Sequence, residues 1–235
     1  MNGPSRPVGQ MEADLRELIL TVQSPHLSAV LEHLLGPGTT TWALYREAPA
    51  AKRIHQAYRH GLLEHCLTVA QAVSAISAVF GSIHRDLALT GALLHDIGKV
   101  DAYTIDGEQI EMSDLGRLHG EIALGYFRIR SAIAELPGFP EELAQGLLHI
   151  ILSHHGCLEF GSPVVPATRE ATLVHMADNL GSKLGSFDRI EAGLDVGALW
   201  AGFDRGLGTS AWFAPGGPSA AGDPGVLGAS RARAA

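Results

Sequence analysis

Along most of this chain apolar residues return every three or four positions, the spacing of one face of an α-helix. Leu15, Leu18, Ile19 and Val22 line up over Met11–Val22. Ser24 stands as an N-cap with Pro25 in the first helical position, and this second helix is expected to run to Leu35, before Gly36-Pro37-Gly38. A short helix over Thr39–Ala48 is stopped by Pro49. Leu62–Phe80 holds Leu63, Leu67, Ala70, Val73 and Ile76 in register. Asp86–Asp96 is apolar nearly all round, the pattern of a helix buried on most sides. Asp114–Leu136, Pro140–His155 and Thr168–Ala192 follow, the last with Leu173, Ala177, Leu180 and Leu184 in register. Asp101–Ser113 carries Asp106-Gly107 between β-prone runs, a small hairpin or a loop. The expected fold class is all-α: a compact bundle of seven or eight helices.

The periodicity fails at both ends. Residues 1–10 read as a flexible tail, and 214–235, rich in Gly, Pro, Ala and Ser, as a disordered one. The bundle is then expected over 11–213, with no internal repeat. Hydrophobic residues make up 46% of the chain, enough to exclude wholesale disorder. The formal net charge is −8, with Lys and Arg few and scattered, so no grip on long duplex nucleic acid is expected. Cys66 and Cys157 form no CxxC pair and read as reduced thiols of a cytoplasmic protein. The first residues lack the pattern of a signal peptide. Nowhere do about 18 apolar residues run uninterrupted, so no membrane span is expected.

Polar residues inside the apolar helices carry the chemistry. His65 lies within the helix from Leu62; His95-Asp96 ends the most apolar helix; His154-His155 ends another; Asp178 interrupts the last. Burying an imidazole or a carboxylate without a partner costs several kcal/mol. Taken singly, each has a plain reading. His65 is a hydrogen-bonded core histidine, Asp96 a cap for the segment after it, and Asp178 a partner of Lys183 or His175. Taken together, four polar groups on four helices are accommodated if they converge on a cation, and imidazole and carboxylate suit a divalent metal.

Residues 91–99, GALLHDIGK, resemble the signature of the HD-domain superfamily of metal-dependent phosphohydrolases. PAAKRIHQAYRHGLLEH (49–65), DLALTGALLHDIGKV (86–100), LSHHGCLEFGSPVVP (152–166) and LVHMADNLGSKL (173–184) resemble blocks of the YhaM-type 3′–5′ exoribonucleases, making 49–184 a motif-bearing core. The resemblance implies His65, His95, Asp96 and Asp178 as metal ligands, and His154 and His155 as ligands of a second metal or contacts of the scissile phosphate. Asp96, with two oxygens, is placed to bridge two ions and is a catalytic candidate. Lys99 is a second one, meeting a phosphate oxygen; its plain reading is a solvated lysine. Arg117 is a further phosphate contact or, more simply, a solvated helix residue.

The chain departs from that pattern in places. GRLHGEI (116–122) puts Glu121 where the pattern has a histidine, with His119 two residues earlier, so either is the ligand there. Gln56 and His60 stand for His and Gly, and Gly181 for a second Asp. Residues 1–48 precede the match and read as helical, so the family's N-terminal OB-fold is not expected. The cofactor implied is one or two divalent ions, with Mn, Fe, Zn, Ni, Co and Mg undistinguished. The implied activity is hydrolysis of phosphoesters in nucleotides or short RNA; two metals favour a diesterase and one a monoesterase. The alternatives are a nucleotide monophosphate phosphatase and a non-catalytic nucleotide-binding module. Oligomerisation is left open.

Overall fold

A computed structural model describes residues 3–52, 56–107 and 109–215. These residues form helices α1 (Val8–Leu20), α2 (Pro25–Leu35), α3 (Thr40–Glu47), α4 (Gly61–Ser77), α5 (Arg85–Leu94), α6 (Lys99–Ala102), α7 (Asp114–His119), α8 (Glu121–Ala134), α9 (Glu141–Ser153) and α10 (Arg169–Ala192). Two antiparallel hairpins accompany them, β1 (Tyr103–Asp106) with β2 (Gln109–Met112) and β3 (Trp200–Asp204) with β4 (Thr209–Trp212). The all-α expectation holds, and Asp106-Gly107 does turn a hairpin.

The chain divides into two units, Met1–Gly185 and Ser186–Ala235. In the first, α4 packs along α5, α5 along α9, and α9 along α8; α1 and α3 also pack on α4. The heptad-like stripe Met11, Leu15, Ile19 of α1 is wholly buried, as are Leu62, Leu63, Leu67, Leu89 and Leu93 at the α4–α5 seam. Each such side chain contributes about 1.5–3 kcal/mol by leaving water. Tyr45 of α3 is buried with its hydroxyl donating to the Leu93 carbonyl at 2.9 Å, which leaves no polar atom of that side chain unsatisfied.

Three boundaries differ from those expected. The tail expected over 1–10 is helical from Val8, and Ser5 is tied down by its amide and hydroxyl to the buried Glu64 carboxylate. The single helix expected over Asp114–Leu136 is two, because Gly120 takes φ +75°, ψ 151°, which breaks the helical ladder. His119 therefore closes α7, and Glu121 opens α8. The bundle expected to run to 213 ends at Gly185: the apolar face of α10 is buried through Ala177, but Leu180 and Leu184 are 51% and 53% exposed. Most of the tail expected over 214–235 lies outside the described residues.

The second unit comprises the last turns of α10 and the β3–β4 hairpin. Trp200 faces Trp212 across the strands, and Phe187 meets Phe213 edge-on at 6.2 Å between ring centres. Arg189 bonds Asp204 at 2.6 Å. Sequence periodicity missed this hairpin because its strands are short and one is interrupted by Gly202.

One backbone contact sets the position of the residues taken up next. A Cβ at Gly98 would lie 1.9 Å from the Glu121 carbonyl oxygen and 2.5 Å from the Gly125 nitrogen. The turn after α5 thus rests directly on the first turn of α8. Gly98→Ala is expected to destabilise the fold by about 3 kcal/mol through overpacking against backbone that has nowhere to move. Gly81→Ala, with open space around it, is expected to change stability by less than about 0.5 kcal/mol. Urea unfolding of the two variants checks the contrast.

Candidate metal centre

Five helices deliver the polar groups. His65 projects from the second turn of α4. His95 is the C-cap of α5, and Asp96 follows it in the turn that Gly98 presses onto α8. His154 is the C-cap of α9, with His155 next in line. Asp178 lies in α10 and Glu121 at the start of α8.

The side chains gather into two donor sets that meet at Asp96. In one set His65 Nε2 lies 3.1 Å from His95 Nε2, 3.1 Å from Asp178 Oδ1 and 3.2 Å from Asp96 Oδ2. His95 Nε2 is 3.4 Å from the same Asp96 oxygen. In the other, His154 Nε2 is 3.5 Å from Asp96 Oδ1, and His155 Nε2 is 3.3 Å from Glu121 Oε1. One donor atom each from His65, His95 and Asp178 lie within 4.8 Å of one another, and so do one each from Asp96, Glu121, His154 and His155. The two oxygens of Asp96 therefore face different sets.

The outer ring nitrogens explain why all four Nε2 atoms point inward. His95 Nδ1 donates to the Ala92 carbonyl at 2.8 Å, His154 Nδ1 to Ile151 at 2.7 Å and His155 Nδ1 to Phe160 at 2.8 Å. His65 Nδ1 donates to the Gln56 side-chain oxygen at 3.1 Å. A neutral imidazole that donates from Nδ1 keeps its lone pair on Nε2, and metal-binding histidines are held in this way. His175 of α10 adds a brace, donating to the His154 carbonyl at 2.9 Å.

The electrostatics leave a deficit of positive charge. Asp96, Asp178 and Glu121 carry three carboxylates, and Lys99 is the ammonium among them, bonded to Asp96 Oδ2 at 2.5 Å. Burial alone would raise Asp96, but Lys99 and then His95 hold it well below the usual carboxylate range. Burial likewise works against a charged His65, yet hydrogen bonds to Asp178 and Asp96 raise it to about 9. Glu121 is pushed up by burial and then by the Asp96 charge. Asp96 Oδ1, Glu121 Oε2 and His154 Nε2 are buried and have no hydrogen-bond partner. Orphaned acceptors converging on one point are the fit expected of a cation site. The nitrogen and carboxylate donors suit a divalent transition metal.

The expected residues sort clearly. His65, His95, Asp96, Asp178, His154, His155 and Glu121 converge. His119 does not: it lines a groove of about 670 Å³ between α2 and α8, with Phe127 and Arg128. The break at Gly120 makes this so, since α7 closes at His119 and α8 opens at Glu121 in a new direction of the backbone. Lys99 donates to Asp96 beside both sets. Arg117 is 62% exposed and donates to the Met112 carbonyl at 3.2 Å, outside either set. Sequence reasoning missed the service of Gln56 and His175. A polar side chain at hydrogen-bond range across a turn leaves no periodic trace.

Known proteins extend the picture. Residues 62–182 match the HD domain family. The 3′–5′ exoribonuclease YhaM of Bacillus velezensis is 31% identical over 191 residues, 78% of this chain and 57% of that protein. The protein of the same name from Bacillus pumilus is 32% identical over an equal span. The chain thus spans little more than half the length of the curated relatives it matches. No solved structure matches it significantly.

Lys99→Met would leave the buried Asp96 carboxylate without its ammonium. Removing one partner of a buried pair costs about 3–5 kcal/mol. Thermal unfolding in chelator is expected to show that loss, and added manganese is expected to recover part of it, since a cation takes over the neutralisation of Asp96.

Proposed function

Since the chain belongs to the HD-domain family, we propose that it is a metal-dependent phosphohydrolase that cleaves phosphodiester bonds of short oligoribonucleotides from the 3′ end. The observation that carries this reading is the carboxylate of Asp96, which turns one oxygen toward each of two histidine-carboxylate sets. Two adjacent cation positions suit a phosphodiester, because charge develops on both the attacking and the leaving oxygen. The names of the relatives, which are exoribonucleases, support the choice of substrate.

In this reading His65, His95, Asp178 and Asp96 would hold one ion, and Asp96, Glu121, His154 and His155 the other. When bound, divalent ions supply Lewis acidity toward water and toward the phosphoryl oxygens. The protein's own contribution is positional. The four Nδ1 bonds fix the rings, so the donors need no reorganisation as charge develops. Lys99 keeps Asp96 ionised. The side chain of His155 is 29% exposed, against 0% for His95 and His154, so substrate reaches the centre from the His155–Glu121 side.

A second reading, a phosphatase of nucleoside monophosphates, draws on the net charge of −8, which suits a small substrate better than a polyanion. We place the protein in the cytoplasm. Its two cysteines, both free, support this. No helix among the described residues is long and apolar enough to cross a membrane.

A 5′-labelled decaribonucleotide incubated with the manganese-loaded protein is expected to shorten one nucleotide at a time. Asp96→Asn should abolish both bound metal and cleavage, a loss of more than about 100-fold, since even groups behind the ligands are worth 10–100-fold. Cleavage that survives in Asp96→Asn would sink the proposal. Activity on mononucleotides alone would transfer it to the phosphatase reading. Separately, Glu121→Ala is expected to lower the metal-to-protein ratio measured by elemental analysis, while His119→Ala leaves that ratio unchanged.

A further inference from the structure

Three of the four inward histidines take their orientation from main-chain carbonyls, and the helix geometry explains two of them. His95 and His154 are C-caps, where the carbonyl three residues back belongs to a last turn with no continuing helix to bond it. His65 is placed differently. It sits inside α4, where the carbonyls of the preceding turn are used by the helix itself. Gln56 brings an acceptor to its Nδ1, at 3.1 Å.

Gln56 does so from an unusual backbone. Its φ is +55°, a left-handed conformation that non-glycine residues seldom adopt. Two contacts fix it there. The Gln56 carbonyl accepts from the Ala50 amide at 3.2 Å. Gly61, the first residue of α4, approaches so closely that a Cβ would fall 2.0 Å from that same carbonyl oxygen. A residue with a Cβ held in a sparsely populated region, against a buried polar side chain, marks a place where position serves function.

We infer that Gln56 is a positioning residue: its amide oxygen holds His65 with Nε2 toward His95, Asp96 and Asp178, and so sets the affinity of that donor set for a divalent ion. The inference rests on the metal-centre reading given above. An acceptor behind a ligating imidazole fixes the ring and makes it a better donor, and its loss weakens metal binding about 10–100-fold.

The test uses the full chain and cobalt(II) alone, titrated by visible absorption, with unfolding curves in chelator as a second readout. Gln56→Leu, which has no acceptor, is expected to weaken cobalt binding by about 10–100-fold. Gln56→Glu keeps an acceptor and adds charge; it is expected to bind at least as tightly as the wild type. Gln56→Gly relieves the backbone strain. It should unfold no earlier than Gln56→Leu while sharing its weakened binding, a combination that a purely structural role for the side chain would not give. Wild-type affinity in Gln56→Leu would overturn the inference and leave the metal centre standing. Equal losses in Gln56→Leu and Gln56→Glu would overturn it too. A wild type that binds no cobalt would overturn the metal centre and this inference together.

Discussion

Six donor side chains around Asp96 oppose one another. Imidazole nitrogens lie 3.1–3.5 Å from carboxylate oxygens, and the buried carboxylates of Asp96, Asp178 and Glu121 crowd one another. Carboxylates held together in a medium of low dielectric repel one another. The rest of the bundle answers that constraint. Its helices are not long apolar rods that happen to carry polar residues. They are placed so that each ends or turns where a donor must be held against its neighbours.

Two devices do the holding. Helix termini orient histidines, because the last turn of a helix offers carbonyls that no amide claims, and His95 and His154 use them. A single ammonium offsets part of the negative charge: Lys99 reaches Asp96 within one turn, before any external cation is considered. His65, inside its helix, draws on the turn at Gln56. The burial of Leu62, Leu63, Leu89 and Leu93 along the α4–α5 seam supplies the stability against which these local costs are set.

Much of this was legible in the sequence, and the limits of legibility have physical causes. Chemistry concentrated at helix ends is easy to read, since apolar periodicity locates the helix and a histidine pair at its close stands out. Hence His95-Asp96, His154-His155 and the all-α class were anticipated. Glu121 was left level with His119 because Gly120 was read as one position in a continuous helix. Its positive φ is a property of the backbone, and Gly within a helical pattern signals it weakly. The exposure of Leu180 and Leu184 was misread for a different reason: periodicity reports that a face exists, not that something covers it. Gln56 was visible only as a departure from a pattern, and its use required the three-dimensional turn.

The contact of Gly98 with the first turn of α8 bears on how such a centre diversifies. The spacing between the Asp96 turn and the Glu121 helix is set by main chain resting on main chain, with no side chain between them. The kind of donor at position 121 is consequently separable from its location. A lineage can exchange carboxylate for imidazole there, altering which ion is preferred, while the gap across Asp96 is inherited unchanged. Glycine at 98 is the fixed gauge, and the residue at 121 is the adjustable part.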